Sequence, residues 1–463
     1  MVPTDMAGAA EIARAVASGA VSARAVTEAA LARVTALNTR LNAFTDLLPA
    51  RALAAAEAVD AARAAGRGSG PLAGVPFAVK NLFDIAGLPT RAGSLINRGR
   101  APAARDAALV RRMEAAGAIL LGGLNMGEYA YDFTGENVHD GASRNPHDPS
   151  RMTGGSSGGS GGAVASGMVP LALGSDTNGS IRVPAAFCGL FGLKPTYGRL
   201  SRAGSFPFVS SFDHLGPLAR GTRDLALAYD AMQGPDPEDP AQAPRAPEPV
   251  LPELEKGADG LRIAVAGGHF LRNGDPECFA AVDRVARALG ATAQIELPEA
   301  ARARAAAFVI TASEGAALHL DRLRVRPGDL DPATRDRLIA GAAIPAAWVN
   351  RAQRFRRWYR DRVLALFEGT DIILAPSTPC RAPALGQASI LMDGATLPLR
   401  PNIGVFTQPV SFIGLPVCAV PVWVDDGLPL GVQVIAPPWR EDLALRVARV
   451  LERLGVARSR IPS

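Results

Sequence analysis

Apolar positions fall into two patterns along the chain. In alanine-rich stretches they recur every three to four residues, the spacing of one helix face. Elsewhere they form short unbroken runs between turn-forming residues, which suits strands buried on both faces. The first pattern predicts two helices over residues 4–40, broken at Gly19 with Ser22 as N-cap of the second, then helices over 47–66 and 106–116 and near 221–232, 275–290, 300–323, 333–367 and 440–454. The second pattern predicts strands at Val75–Val79, Ala118–Gly122, Arg262–Ala266, Asp371–Ala375, Val417–Val422 and Gly431–Ile435. Helix alternating with apolar strand implies an α/β fold whose mixed or parallel sheet is covered on both faces. Residues 234–260, rich in proline and acid, read as a surface linker or excursion.

The stretch TGGSSGGSGGAVASGMVPLALGSDTNGSIRVPA, 153–185, fits neither pattern at its start, where glycine and serine crowd too densely for a helix or strand. A flexible linker has this composition, yet linkers seldom sit between buried strands. No Gly-Lys-Ser/Thr follows, so it is not a phosphate-binding loop, and Val164 stands where a dinucleotide pattern needs glycine. It does contain Gly154-x-Ser156-x-Gly158, which reads as a nucleophile elbow.

Composition narrows the setting. Apolar residues make up 48% and charged ones 20%, which is globular. No window reaches the roughly 18 apolar residues of a membrane span. The first twenty residues carry Asp5 and Glu11 without a signal pattern, so a cytoplasmic protein is expected. Cys188, Cys278, Cys380 and Cys418 lie far apart, which implies reduced thiols rather than a disulfide framework or zinc site. A net charge of +5 over this length does not call for nucleic acid, and the arginine-dense run 351–362 reads best as one solvated helix side.

One count does change the picture. Of 49 basic residues only Lys80, Lys194 and Lys256 are lysine. Lysine can lose its proton where arginine effectively cannot, so Lys80, at the end of a predicted buried strand, becomes a candidate base. A histidine base is poorly placed: of His139, His147, His214, His269 and His319 only the last three follow Ser156, and none lies in an obvious loop near the C-terminus.

Four blocks in order, GVPFAVKN around Lys80, GGSSGGS at 154–160, GSDTNGSIRVPA at 174–185 and CGLFGLKPTYGRLS at 188–201, resemble the amidase signature family. The likeness extends over DIILAPSTP at 371–379 and LPLGVQVIA at 428–436. It implies one domain over 1–463 with a large mixed sheet covered by helices on both faces, and a catalytic core at 65–230. It implies Ser180 as nucleophile, Ser156 on a cis peptide after Gly155 as bridging serine, and Lys80 as terminal base. The backbone N–H groups of Thr177, Asn178, Gly179 and Ser180 would form an oxyanion hole. No metal or cofactor is called for. Many members have glycine where this chain has Asn178, a residue that tolerates a left-handed backbone, so Asn178 is a specificity candidate. Tyr131, Gly155, Arg182 and Gln408 are further candidates for substrate contact.

The segment 128–148 and the TNGS variant are most similar to the hydrolases that act on 1-carboxybiuret in s-triazine breakdown. That likeness implies a small carboxylated, urea-like amide as substrate and a homo- or hetero-oligomer that can include a small helical accessory subunit, with neither membrane nor nucleic acid as partner. The alternative is a glutaminase subunit of a tRNA-dependent amidotransferase, with the 351–362 helix as its docking face.

Overall fold

The computed structural model describes residues 8–68 and 70–462. Its centre is an eleven-stranded mixed sheet. Crossing it from one edge, the strands begin at Phe44, Ile119, Pro76, Leu171, His214, Phe191, Val417, Leu430, Ile372, Ile263 and Ala293. The pairs on either side of Pro76–Lys80 are parallel, as are those of Ile263–Ala266 with both its neighbours, and the other pairs are antiparallel. Side chains alternate between the two faces of a strand. Every residue of Pro76–Lys80, Leu171–Asp176, Val417–Val422 and Leu430–Ile435 is buried, so both faces of the central sheet are covered.

The six expected strands form within one or two residues of their predicted ends. Five others, Phe44–Leu47, Leu171–Asp176, Phe191–Lys194, His214–Ala219 and Ala293–Ile295, carry glycine, proline or polar residues that blur the apolar run. Ser22 caps the second helix by accepting from the Ala25 N–H at 3.1 Å. The first helix runs Ala9–Ser18, and the part expected at residues 4–7 lies outside the described residues.

Two helical expectations need correction. The single helix expected over 333–367 is two, Pro332–Ala342 and Ala346–Leu366, because Pro345 has no N–H to donate and its ring excludes a preceding helical turn. The glycine-serine run judged too dense for regular structure is a helix, Gly158–Ala165. Low helix propensity is overridden there by packing. A Cβ on Gly159 would lie 2.5 Å from Ala43 O and from Asn125 N, so only glycine lets this helix approach the sheet so closely.

The 234–260 segment contains one short 3-10 turn, Leu251–Glu253, and is tied down by Asp230, whose carboxylate accepts from Val250 N and Leu251 N. Ala346–Leu366 exposes Arg351, Arg354, Arg357, Arg360 and Arg362, while Arg356 turns inward to Phe412 O and Ser211 O. All four cysteines are free and buried. Among the described residues no helix is long and apolar enough to cross a membrane.

Candidate active site

The parallel strands Pro76–Lys80 and Leu171–Asp176 lie side by side, which sets Lys80 beside Ser175. Lys80 is fully buried. Its Nζ donates to Ser156 Oγ at 2.6 Å and to Ser175 Oγ at 2.8 Å, and among the described residues no carboxylate comes within ion-pair distance. Burial lowers its pKa from 10.5 to about 7, a shift that the more distant charges of Asp213, Asp176 and Asp132 only partly oppose. Sequence reasoning passed over Ser175. The available signal was its place in the same GSDTNGS block as Ser180.

Ser156 follows a cis peptide from Gly155 and is fully buried. Ser180 lines a small, partly enclosed cavity. Among the described residues no hydrogen bond joins Ser156 to Ser180, so the Lys80–Ser156 arm of the expected relay is formed and the Ser180 arm is open. The backbone N–H groups of Thr177, Asn178, Gly179 and Ser180 find no acceptor among the described residues. Buried N–H groups are rarely left so, and unmatched donors beside Ser180 are open to an acceptor in the cavity.

This turn is held from both sides. Thr177 Oγ1 donates to Asp213 Oδ1 at 2.7 Å, and Thr407 Oγ1 donates to Asn178 O at 2.6 Å. Gly179 has φ of +143°, and a Cβ there would collide with Thr407 Oγ1. The backbone demand for glycine therefore falls on Gly179. Asn178 does not have a positive φ, so its expected role in tolerating a left-handed turn is not required.

Arg182 does not reach the cavity. It is fully buried and pairs with Asp176, its Nη2 2.9 Å from Asp176 Oδ1, while donating also to Gln433 Oε1, Thr407 O and Ser411 Oγ. Burial favours the neutral acid at Asp176, but Arg182 outweighs it and holds the carboxyl well below its usual range. Arg182 thus anchors the turn. Gly155 also stays out of the cavity lining, packing against the Asp132–Gly135 turn, where its N–H donates to Phe133 O at 2.8 Å.

Tyr131, Asn178 and Gln408 do line the cavity, together with Arg337, which sequence reasoning missed. Arg337 comes from Pro332–Ala342, far along the chain from every signature block, and no local pattern marks it. Its guanidinium lies 3.9 Å from the Tyr131 ring centroid and donates to Tyr131 O and Ala333 O. No carboxylate pairs with it among the described residues, and desolvation lowers its pKa. Arg304 donates to Gln408 Oε1 at 2.9 Å, which leaves the amide nitrogen of Gln408 free to donate.

A buried amine beside a serine, a second serine facing a cavity and unmatched N–H groups beside it can carry out acyl transfer. Comparison with known proteins agrees in kind. The model of the amidase family matches residues 25–445. The AtzE subunit of the 1-carboxybiuret hydrolase of Pseudomonas sp. (strain ADP) is 58% identical over 97% of this chain and 98% of its own. A glutamyl-tRNA(Gln) amidotransferase subunit of Chloroflexus aurantiacus is 38% identical over 95% of each chain. A solved structure, from an unexpected vestigial protein complex that reveals the evolutionary origins of an s-triazine catabolic enzyme, superposes with a TM-score of 0.97 at 57% identity, covering 98% of this chain and all of that one.

Proposed function

Since the chain belongs to the amidase signature family, we propose that it hydrolyses the terminal amide of a small carboxylated, urea-like compound of the 1-carboxybiuret type, with release of ammonia, through Ser180, Ser156 and Lys80. The observation that carries the chemistry is the 2.6 Å contact of Ser156 with a lysine that has no ionic partner among the described residues. With its pKa lowered to about 7, such an amine is neutral in about half of the molecules at pH 7 and then keeps a lone pair for a proton.

Ser180 Oγ attacks the amide carbonyl as its proton passes to Ser156, whose own proton passes to Lys80. The negative charge that develops on the carbonyl oxygen is met by the N–H groups of residues 177–180, where one lost donor costs roughly 100- to 1000-fold in rate. The C–N bond breaks, the proton returns by the same route to the departing nitrogen, and ammonia leaves. Water, deprotonated through Ser156 and Lys80, then attacks the acyl-enzyme; the ester C–O bond breaks, the lysine's proton returns through Ser156 to Ser180 Oγ, and the carboxylic acid leaves and gives its proton to solvent. Every proton taken up is given back, so the chain supplies all the acid-base chemistry.

Arg337, which has no carboxylate partner among the described residues, supports a carboxylate at the far end of the substrate. An amino-acid amide such as glutamine also carries an ammonium group. The lining carboxylate of Asp132 is already committed to Thr134, Gly135 and Arg400, which disfavours the glutaminase alternative. That the AtzE relative is one subunit of its enzyme, and the solved structure a complex, supports assembly with a partner chain, which the sequence resemblance implies is small and helical.

Ammonia release from carboxylated ureas by purified protein, without tRNA or ATP, tests this reading. Ser180→Ala should lower turnover by at least about 1000-fold with the circular dichroism spectrum unchanged. Full activity in that variant would remove Ser180 as nucleophile.

A further inference from the structure

Two buried polar atoms at the cavity have no partner among the described residues, Asn178 Oδ1 and Tyr131 Oη. Both residues are 6% exposed, and both line the cavity beside Ser180. Buried polar atoms are seldom left unmatched, and each exception needs a reason. Neither atom is loose. The amide nitrogen of Asn178 donates to Thr311 Oγ1 at 3.0 Å, which holds the side chain in the cavity wall. The Tyr131 ring is clamped between Arg337 and Phe208, at centroid distances of 3.9 and 4.8 Å.

A carboxamide oxygen only accepts, so whatever satisfies Asn178 must donate. Asn178 lies two residues before Ser180 and lines the same cavity, so its oxygen is open to a group close to the bond being cleaved. In a carbon-chain amide the atom next to the carbonyl is a methylene, which cannot donate. In a ureido compound it is an N–H. A phenol both donates and accepts, so Tyr131 can receive the next carbonyl oxygen along a biuret chain. With Arg337 on the carboxylate, each polar part of a ureido acid then has a candidate partner in the cavity lining.

We propose that Asn178 is a specificity residue that reads a ureido N–H adjacent to the scissile carbonyl, with Tyr131 taking the next carbonyl, so that the cavity selects ureido acids over carbon-chain amides of equal length and charge. This inference rests on the carboxylated-amide reading above and names the substrate class within it.

The test uses two stable isosteres, 3-ureidopropionate and glutaramate, which differ only in N–H against CH₂ beside the terminal carbonyl. Dissociation constants are measured by calorimetry on Ser180→Ala protein, so that neither compound turns over. The expected result is binding of 3-ureidopropionate at least about tenfold tighter, equivalent to about 1.4 kcal/mol. Adding Asn178→Ala should erase or invert that ratio, since the N–H would then be buried without a partner. Adding Tyr131→Phe should leave it in place, because both probes lack the second carbonyl.

A merely structural Asn178 would weaken both ligands alike and keep the ratio. Equal binding of the two compounds with Asn178 intact, or a preference that survives its removal, overturns this inference and leaves the amidase reading standing. Failure of both compounds to bind removes the carboxylate-binding role of Arg337, and this inference with it.

Discussion

The pH dependence of kcat/KM is the most direct test of Lys80 as the base. Burial takes its pKa from 10.5 to about 7, which corresponds to roughly 5 kcal/mol of lost ammonium stabilisation. With a pKa near 7, about 90% of the enzyme holds a neutral amine at pH 8 and about 10% at pH 6. The rate constant should therefore be flat above about pH 8 and fall about tenfold per unit well below 7. An exposed lysine would be neutral in only about one molecule in 3000 at pH 7, so the limb would lie more than three units higher. The same shift acts on stability. Between about pH 7 and 10.5 the unfolded chain binds a proton at Lys80 that the folded chain does not, so this site destabilises fully below about 7 and ceases to do so above 10.5.

Other groups are separable from this limb. Burial pushes all five histidines below their usual 6.5, so they titrate on its acid side. Glu128 and Lys194, however, are both brought by burial to about 7. Glu128 accepts from Asp331 N at 2.7 Å and pairs with His139. Neither residue lines the cavity. Profiles of Glu128→Gln and Lys194→Met, measured as ammonia release from pH 5.5 to 9.5, should keep the midpoint of the wild type even where the plateau drops. A profile without an acidic limb, or one whose midpoint moves by more than about one unit in either variant, would refute Lys80 as the titrating base.

Other substitutions probe separate parts of the molecule. Lys80→Arg keeps the charge but cannot supply a neutral base, so turnover should fall nearly as far as in Ser180→Ala; a loss below about tenfold would route the proton elsewhere. Arg337→Leu removes a charge-assisted contact worth about 1.5–3 kcal/mol, which should raise KM about 10- to 150-fold for a carboxylated amide and leave a neutral one such as biuret nearly unaffected. Equal losses on both would refute carboxylate recognition. Gly159→Ala forces a Cβ to within 2.5 Å of backbone atoms, so thermal unfolding should show a lower Tm and a loss of about 1–3 kcal/mol or more.

How far the chain could be read in advance depended on whether the relevant physics was local. Uniform apolar runs such as Val417–Val422 lie where their pattern placed them. Leu171–Asp176 was harder to see because it ends Gly-Ser-Asp, yet all six residues are buried, the polar ones by virtue of what they hold. Ser175 meets Lys80, and Asp176 meets Arg182. The helix Gly158–Ala165 was illegible for the opposite reason: propensity argues against it, and the contact that overrides propensity comes from Ala43 and Asn125. Lys80 and Ser156 could be picked from sequence because each ends or opens a distinctive block. Arg337 could not, because it reaches the cavity only through the packing of Pro332–Ala342 against Ala300–Val325.

The scarcity of lysine takes on a physical meaning from these positions. A buried guanidinium cannot discharge, so Arg182 is matched by a bidentate carboxylate and three further acceptors. Such a group holds structure and cannot carry a proton. A buried ammonium has another course open to it, which is to give the proton up. Lys256, at the surface, merely pairs with Glu253 at 2.6 Å, and arginine would serve there as well. Lys80 and Lys194 are both fully buried with neutral oxygen partners only, two serine hydroxyls in one case and Pro195 O in the other. What separates these two is the neighbour. A serine hydroxyl can pass a proton onward and a backbone carbonyl cannot, so of the two buried amines only Lys80 has a partner, Ser156, that could carry a proton toward Ser180 in the proposed relay.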